Sequence, residues 1–121
     1  MSRAKPKPVA LTIAGSDSSG GAGLQADLST FTALGVHGVS VVTAITAQTS
    51  KKVLGIEPVK PIAVSKQLEA VFAGRKPRAA KTGMLLAAGA AECVAEFFNE
   101  KKRPPLVVDP VCFIACKIGS L

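Results

Sequence analysis

The chain contains neither tryptophan nor tyrosine, and it has a single histidine. Basic residues do not alternate with aromatic ones and no nucleic-acid-binding motif is present, so we expect no nucleic-acid partner. One histidine and three cysteines in no ligand spacing exclude a Cys/His metal site, and we assign no metal ligands. The odd number of cysteines favours free thiols in a reducing compartment over a disulfide framework, which predicts a cytoplasmic protein.

Long apolar runs are also absent. No stretch reaches the length of a membrane-spanning helix, and no apolar core follows the first basic residues as it would in a signal peptide. We therefore expect no membrane contact. Hydrophobic residues make up 48% and charged residues 19% of the 121 residues, which predicts one globular domain with a modest core. The net charge of +7 indicates a solvated basic surface, which could also attract phosphorylated substrates.

Short apolar runs alternate with amphipathic stripes between residues 9 and 111, after a basic segment, 1–8, that we predict to be a disordered tail. Strands are predicted over Val9–Ala14, Val39–Ile45, Ala79–Gly83 and Leu106–Asp109. Helices are predicted over Gly23–Leu34, from Pro61 until Gly74, and over Ala87–Lys101. Lys51–Pro58 is either irregular or a small strand pair. This β-α-β-α-β-α-β order predicts an α/β fold, with a parallel sheet flanked by helices.

A turn rich in glycine and serine, residues 14–27, joins the first predicted strand to the first helix. Its glycines allow close approach of a ligand, and the open N–H groups of the following helix favour a polar or anionic one. The phosphate loop G-x-x-x-x-G-K-[ST] is excluded, because Gly21 and Ala22 stand where lysine and serine or threonine are required. The dinucleotide fingerprint G-x-G-x-x-G/A matches residues 21–26. Six residues separate it from the strand, however, and no acidic residue ends the second strand, so the spacing disfavours a dinucleotide site.

The segment from Ala14 to Asp27, AGSDSSGGAGLQAD, resembles the opening motif of the hydroxymethylpyrimidine/phosphomethylpyrimidine kinases, thiamine-biosynthesis enzymes of the ribokinase-like family. The resemblance continues through residues 30–35 (TFTALG), 41–44 (VVTA), 81–84 (KTGM) and 107–111 (VVDPV). Several motifs in the family's order are more specific than one motif match. The resemblance implies the N-terminal half of a ribokinase-like fold. It also implies phosphorylation of 4-amino-5-hydroxymethyl-2-methylpyrimidine, and then of its monophosphate, with ATP.

The same resemblance implies which residues bind the substrate. Gly15 and Asp27 belong to the opening motif, Gln48 reads the edge of the aminopyrimidine ring, and Met84 lies beside the ring. Asp109 matches an aspartate near the phosphate and metal region of the family. From the residues alone, plainer interpretations stay open. These are a carboxylate that complements the helix dipole for Asp27, a loop amide for Gln48, core filling for Met84 and a turn cap for Asp109.

Residues 112–121 depart from the family pattern and form a divergent C-terminal tail. The family carries a nucleotide pocket, an acidic metal-positioning motif and a late Gly-Thr-Gly-Cys turn that this sequence lacks. We therefore expect a truncated chain and assign no catalytic residue. ATP and Mg²⁺ are implied as cofactors, with most of their binding site missing. The alternative to a kinase is a catalytically inactive fragment that binds the pyrimidine, and an open sheet edge predicts self-association.

Overall fold

A computed structural model describes residues 3–111, which form five strands and three helices. The strands are β1 (Val9–Asp17), β2 (His37–Gln48), β3 (Val53–Pro58), β4 (Ala79–Thr82) and β5 (Leu106–Val108). The helices are α1 (Gly23–Ala33), α2 (Pro61–Ala73) and α3 (Ala88–Phe98). All seven predicted helices and strands are present, and β3 adds an eighth element in the segment that the sequence left undecided.

The strands form one sheet in the order β3-β2-β1-β4-β5. The four predicted strands, β1, β2, β4 and β5, are parallel to one another, as expected. In contrast, β3 pairs with β2 in the antiparallel direction, so the sheet is mixed rather than wholly parallel. Only residues 49–52 join β2 to β3. A connection this short allows a hairpin but is too short for the crossover that a parallel pair needs.

Alternation along the strands divides the helices between the two faces of the sheet. Leu11 and Ile13 of β1 belong to the buried core that also holds Val64 of α2 and Val94 of α3. Thr12, between them, points the other way and hydrogen bonds to Asp27 of α1. Thus α1 covers one face of the sheet, and α2 and α3 cover the opposite face.

Strand β1 is longer than the apolar run from which it was predicted. The pairing of β1 with β2 continues from Ala14 to Asp17, with a register shift between Ala14 and Gly15. Backbone pairing to a neighbouring strand therefore extends β1 into the glycine- and serine-rich turn, although these residues have low strand propensity.

Helix α3 is shorter than predicted and ends at Phe98. Lys102, the residue after the predicted end at Lys101, has a φ of 72°, in the left-handed region that a right-handed helix does not use.

Residues 3–8 are exposed and lie outside every helix and strand. The carbonyl oxygen of Lys7 nevertheless accepts a hydrogen bond from Arg75 Nη2 at 3.0 Å. The disorder predicted for this segment stays a prediction, and the predicted divergent tail, 112–121, lies outside the described residues. Across residues 3–111, none of the helices combines the length and the hydropathy that membrane crossing demands.

Candidate functional site

A cavity of about 500 Å³ opens where the carboxyl ends of β1, β2, β4 and β5 meet α1. This edge is where open parallel sheets commonly bind ligands. All five residues singled out from the sequence line the cavity, namely Gly15, Asp27, Gln48, Met84 and Asp109. Asp109 is exposed and also borders a second, smaller cavity of about 320 Å³ beside the start of α3. The fold therefore brings these residues together, and what they bind stays a prediction.

The floor of the cavity depends on a glycine. A Cβ atom added at Gly15 would lie 2.9 Å from Cε of Met84, closer than side-chain atoms normally approach. The backbone of Met84 is held in turn, because its carbonyl oxygen accepts a hydrogen bond from Thr43 Oγ1 at 2.7 Å. Gly15 thus lets the thioether lie directly against the end of β1. A soft thioether in this place suits a flat ring.

Asp27 lies on the wall of the cavity and has two partners. Its Oδ2 atom accepts a hydrogen bond from Thr12 Oγ1 at 2.6 Å and forms an ion pair with Lys81 Nζ at 2.8 Å. The helix-dipole interpretation does not apply, since α1 begins at Gly23 and its first turn holds no acidic residue. Instead, the carboxylate ties α1 to β1 and β4 at the edge of the cavity. Neither Thr12 nor Lys81 was predicted as a site residue.

Asp17 is a further cavity residue that the sequence analysis did not select. Its side chain is buried, and Oδ1 accepts hydrogen bonds from the N–H of Ser19 at 2.8 Å and from its hydroxyl at 2.7 Å. Burial raises the pKa of the Asp17 carboxyl, but hydrogen bonds outweigh this and leave the pKa below its ordinary value. Ser19 lowers this pKa most, with smaller contributions from the Ala22 N–H and the side chain of Gln48. The Asp-Ser-Ser sequence could have indicated such a turn, because aspartate commonly bonds the N–H two residues on.

The turn between β1 and α1 is further fixed by side chains from two other elements. Gln25 of α1 accepts a hydrogen bond from the N–H of Asp17 at 2.9 Å and donates one to Ser16 Oγ at 2.7 Å. Thr46 of β2 donates to the Ser16 carbonyl oxygen at 2.8 Å. These bonds satisfy polar backbone groups that regular pairing leaves open. The turn is therefore pre-organised around the cavity, which lowers the cost of ordering it when a ligand binds.

The described residues supply few of the groups that the ATP and Mg²⁺ implied by the resemblance would need. Within residues 3–111 no group of three or more His, Cys, Asp or Glu side chains could hold a metal ion. Among the residues that line the cavity, Lys81 is the sole cation, and it is already paired with Asp27. A triphosphate needs several cations or open N–H groups. The cavity therefore suits a small polar ring better than a nucleotide and its metal.

Comparisons with known proteins assign the chain that forms this cavity to a family. The family model described as phosphomethylpyrimidine kinase matches residues 17–120, and so reaches into the segment 112–121 that we predicted to be divergent. The hydroxymethylpyrimidine/phosphomethylpyrimidine kinase of Haemophilus influenzae is 50% identical over 101 residues, which are 84% of this chain and 38% of that protein.

Solved structures agree with this match. The phosphomethylpyrimidine kinase of Clostridium difficile superposes with a TM-score of 0.84 at 49% identity, over 90% of this chain and 47% of that one. The pyridoxal kinase of Staphylococcus aureus, in complex with AMP-PCP and pyridoxal, superposes with a TM-score of 0.77 at 37% identity, over 88% of this chain and 40% of that one. The chain thus spans less than half the length of these relatives. By the extent of the family match, this chain belongs to the phosphomethylpyrimidine kinase family.

Proposed function

We propose that this chain binds 4-amino-5-hydroxymethyl-2-methylpyrimidine, the alcohol acceptor of a kinase reaction in thiamine biosynthesis. The observation that carries the proposal is the convergence of Gly15, Asp27, Gln48 and Met84 on one cavity. They come from β1, α1, β2 and the segment after β4, at one sheet edge, and the volume of about 500 Å³ is in the range of small-molecule sites. Family membership supplies the substrate class.

Each side chain has a role in the proposal that matches its chemistry. The Gln48 amide has donors and an acceptor for the polar edge of the ring, and the Met84 thioether packs against the ring face. Both described contacts of Asp27 use Oδ2, so we assign Oδ1 to the hydroxymethyl group of the substrate. We assign to Asp109, an exposed residue of the cavity lining, a position near the phosphate that would be transferred.

The donor side of the reaction is a separate part of the proposal. ATP is the phosphoryl donor of the kinase family, and Mg²⁺ and a cytoplasmic location complete the proposal. Phosphoryl transfer depends on positioning and on stabilising charge around the γ-phosphate. Because the described residues supply few groups for either, we derive no step through ATP or Mg²⁺ and assign no catalytic residue. The alternative function is pyrimidine binding without phosphoryl transfer.

Replacing Asp27 or Gln48 with alanine is expected to weaken binding of the hydroxymethylpyrimidine by about 1–3 kcal/mol, because a polar partner is then left unpaired in a partly buried site. Isothermal titration calorimetry on the 121-residue chain measures this loss. Ser29→Ala, on an exposed position of α1 outside the cavity lining, is the control and should bind like the parent. Unchanged affinity in both cavity variants would exclude the site. Release of ADP in the presence of the pyrimidine then separates a kinase from a fragment that only binds.

Self-association through the open sheet edge is the remaining part of the proposal. Strand β5 lies at the end of the sheet, and Val107 and Val108 are 69% and 63% exposed although they lie on opposite faces of the strand. An edge strand that is bare on both faces favours pairing with another chain. Light scattering should therefore show a mass that rises with concentration, and Val107→Lys should reduce it. Ile62→Lys, on α2 and 63% exposed, is the control. A parent chain that stays monomeric would contradict the proposal.

A further inference from the structure

The positive charge of the chain is concentrated at one end of the molecule. Three segments, 3–8, 74–78 and 99–105, directly precede β1, β4 and β5. Together they hold nine of the 14 lysine and arginine residues within residues 3–111, but only one of the eight acidic residues. The rest of residues 3–111 holds five basic and seven acidic residues. The net charge is therefore +8 in the three segments and −2 in the remainder of the described chain.

The three segments lie side by side, because the strands that follow them are neighbours in the sheet. Strand β1 pairs with β4 and β4 pairs with β5, in both cases in parallel, so the amino ends of the three strands share one edge. The N–H of Ala80 donates to the carbonyl oxygen of Pro105 at 3.0 Å, and Arg75 Nη2 donates to that of Lys7 at 3.0 Å. We call the surface formed by these three segments the basic edge.

Most charges of the basic edge have no partner of opposite sign. Eight of its nine cationic residues are exposed, and the ninth, Arg103, forms an ion pair at 2.6 Å with Glu100, the one acidic residue of the edge. Neither of the two ion pairs within residues 3–111 involves the other eight cations. Like charges crowded on one surface repel one another and destabilise the folded chain. An anionic partner would relieve this repulsion.

The basic edge is separate from the cavity. The cavity opens at the carboxyl ends of the parallel strands, whereas the basic edge lies at their amino ends. Strand β1 spans nine residues between the two surfaces, which is roughly 25 Å at about 3.3 Å per residue. The screening length at physiological salt is only about 8 Å, so the edge contributes little to holding a ligand in the cavity. Its charge therefore calls for a role of its own.

We propose that the basic edge is a docking surface for an acidic, carboxylate-rich segment of another protein. Lysine and arginine side chains on three adjacent segments can pair with successive carboxylates of a chain that crosses them. The three segments contain no aromatic residue and none of the exposed large hydrophobic residues of the described chain. Stacking on nucleic-acid bases needs aromatic side chains, and stable membrane binding needs apolar anchors. A surface that offers cations alone favours a protein partner, and this inference does not depend on pyrimidine binding.

Fluorescence anisotropy of a labelled polyglutamate peptide, titrated with the 121-residue chain, tests the proposal. Binding should weaken between about 10 mM and about 150 mM salt, as the screening length falls from about 30 Å to about 8 Å. The double variant Lys76→Gln, Lys101→Gln removes one exposed cation from each of two segments, and neither lysine belongs to an ion pair within residues 3–111. It should weaken binding by about tenfold, since an exposed ion pair is worth up to about fivefold.

The matched control is the double variant Lys51→Gln, Lys52→Gln. Both lysines are exposed in the turn between β2 and β3, at the opposite edge of the sheet, and their loss changes the net charge equally. This variant should bind polyglutamate within about twofold of the parent at physiological salt, because charges far beyond the screening length contribute little. Equal losses in the two double variants would overturn the proposal, since binding would then follow net charge alone.

The class of partner is tested on the parent chain. A parent that does not bind polyglutamate at low salt would overturn the proposal. So would tighter binding of an oligonucleotide of the same charge, or of vesicles made from equal parts of phosphatidylcholine and phosphatidylserine. Calorimetry with the hydroxymethylpyrimidine is read separately. Its failure would overturn the proposed function and leave this inference standing.

A second measurement on the parent needs no variant and so does not depend on the folding of one. A carbodiimide joins a lysine amine directly to a carboxylate that lies against it, so the cross-linked lysines report where polyglutamate is bound. We expect cross-links at Lys76, Lys101 and Lys102. Cross-links spread evenly over these residues and over exposed lysines elsewhere, such as Lys51 and Lys66, would overturn the location of the surface.

Discussion

Gly23→Ala is expected to lower the free energy of unfolding by about 3 kcal/mol and to abolish pyrimidine binding. Gly23 has a φ of 59°, and an L-residue pays about 1–2 kcal/mol in this left-handed region. The added Cβ would also overlap the carbonyl oxygen of Gly15. That oxygen belongs to a strand paired with β2, so it cannot move aside without breaking the ladder, and such overpacking typically costs about 1–3 kcal/mol. Urea denaturation followed by circular dichroism measures the loss.

Gly20 provides the matched control for this substitution. It also has a positive φ, 79°, but a Cβ atom there would meet nothing within 4 Å. Gly20→Ala should therefore cost only the conformational term of about 1–2 kcal/mol and leave the cavity intact. The difference in unfolding free energy between the Gly23 and Gly20 variants isolates the steric requirement at the start of α1. Equal losses would show that the close approach of Gly23 to β1 does not matter.

Lys81→Met is expected to destabilise the chain by about 2 kcal/mol, because it leaves the Asp27 carboxylate without its cation. The side chains of Lys81 and Asp27 are 26% and 22% exposed, so solvent screens the pair in part. The expected loss therefore lies below the 3–5 kcal/mol typical of breaking a fully buried pair. Pyrimidine affinity should fall as well, since Asp27 is then held only by Thr12. Urea denaturation and calorimetry measure the two effects.

A double-mutant cycle with Asp27→Asn tests whether the loss belongs to the pair. The combined variant should be less destabilised than the sum of the single variants, with a coupling energy of about 1–2 kcal/mol. Lys66→Met is the control, since Lys66 is exposed on α2 and forms neither of the ion pairs in the described part of the chain. Additive losses would mean that Lys81 acts through packing of its aliphatic stem instead of through its charge.

Much of the fold could be predicted because its signals are local. Alternation of apolar runs and stripes placed β1, α1, β2, α2, β4, α3 and β5 in the correct order. Neither the existence nor the direction of β3 was predicted. A short segment such as Val53–Pro58 carries no periodicity strong enough to separate a strand from a loop. The end of β1 was also misplaced. Its extension to Asp17 depends on pairing with β2, and that partner is distant in the chain.

The candidate site shows the same division. The resemblance named Gly15, Asp27, Gln48, Met84 and Asp109, and the parallel order of the strands predicted that their turns lie at one edge. The partners of these residues were missed. Thr12 and Lys81 lie 15 and 54 positions from Asp27 in the chain, and no local pattern connects them. Asp17 was quoted within the turn but not selected, because its burial is visible only once β1 and β2 are paired.

The sequence by itself determined the layered α/β architecture, the position of the glycine-rich turn and the family to which the chain belongs. The architecture and the turn follow from residue spacing and from backbone geometry that glycine tolerates, which are properties of neighbouring residues. The family follows from the resemblance of several motifs in the family's order. Only the tertiary structure decided that Lys81 and Thr12 hold Asp27 and that Asp17 is buried beside the cavity. Such contacts depend on strand register and on which face of the sheet each helix covers. A shift of one residue in either would point the same side chains away from the cavity.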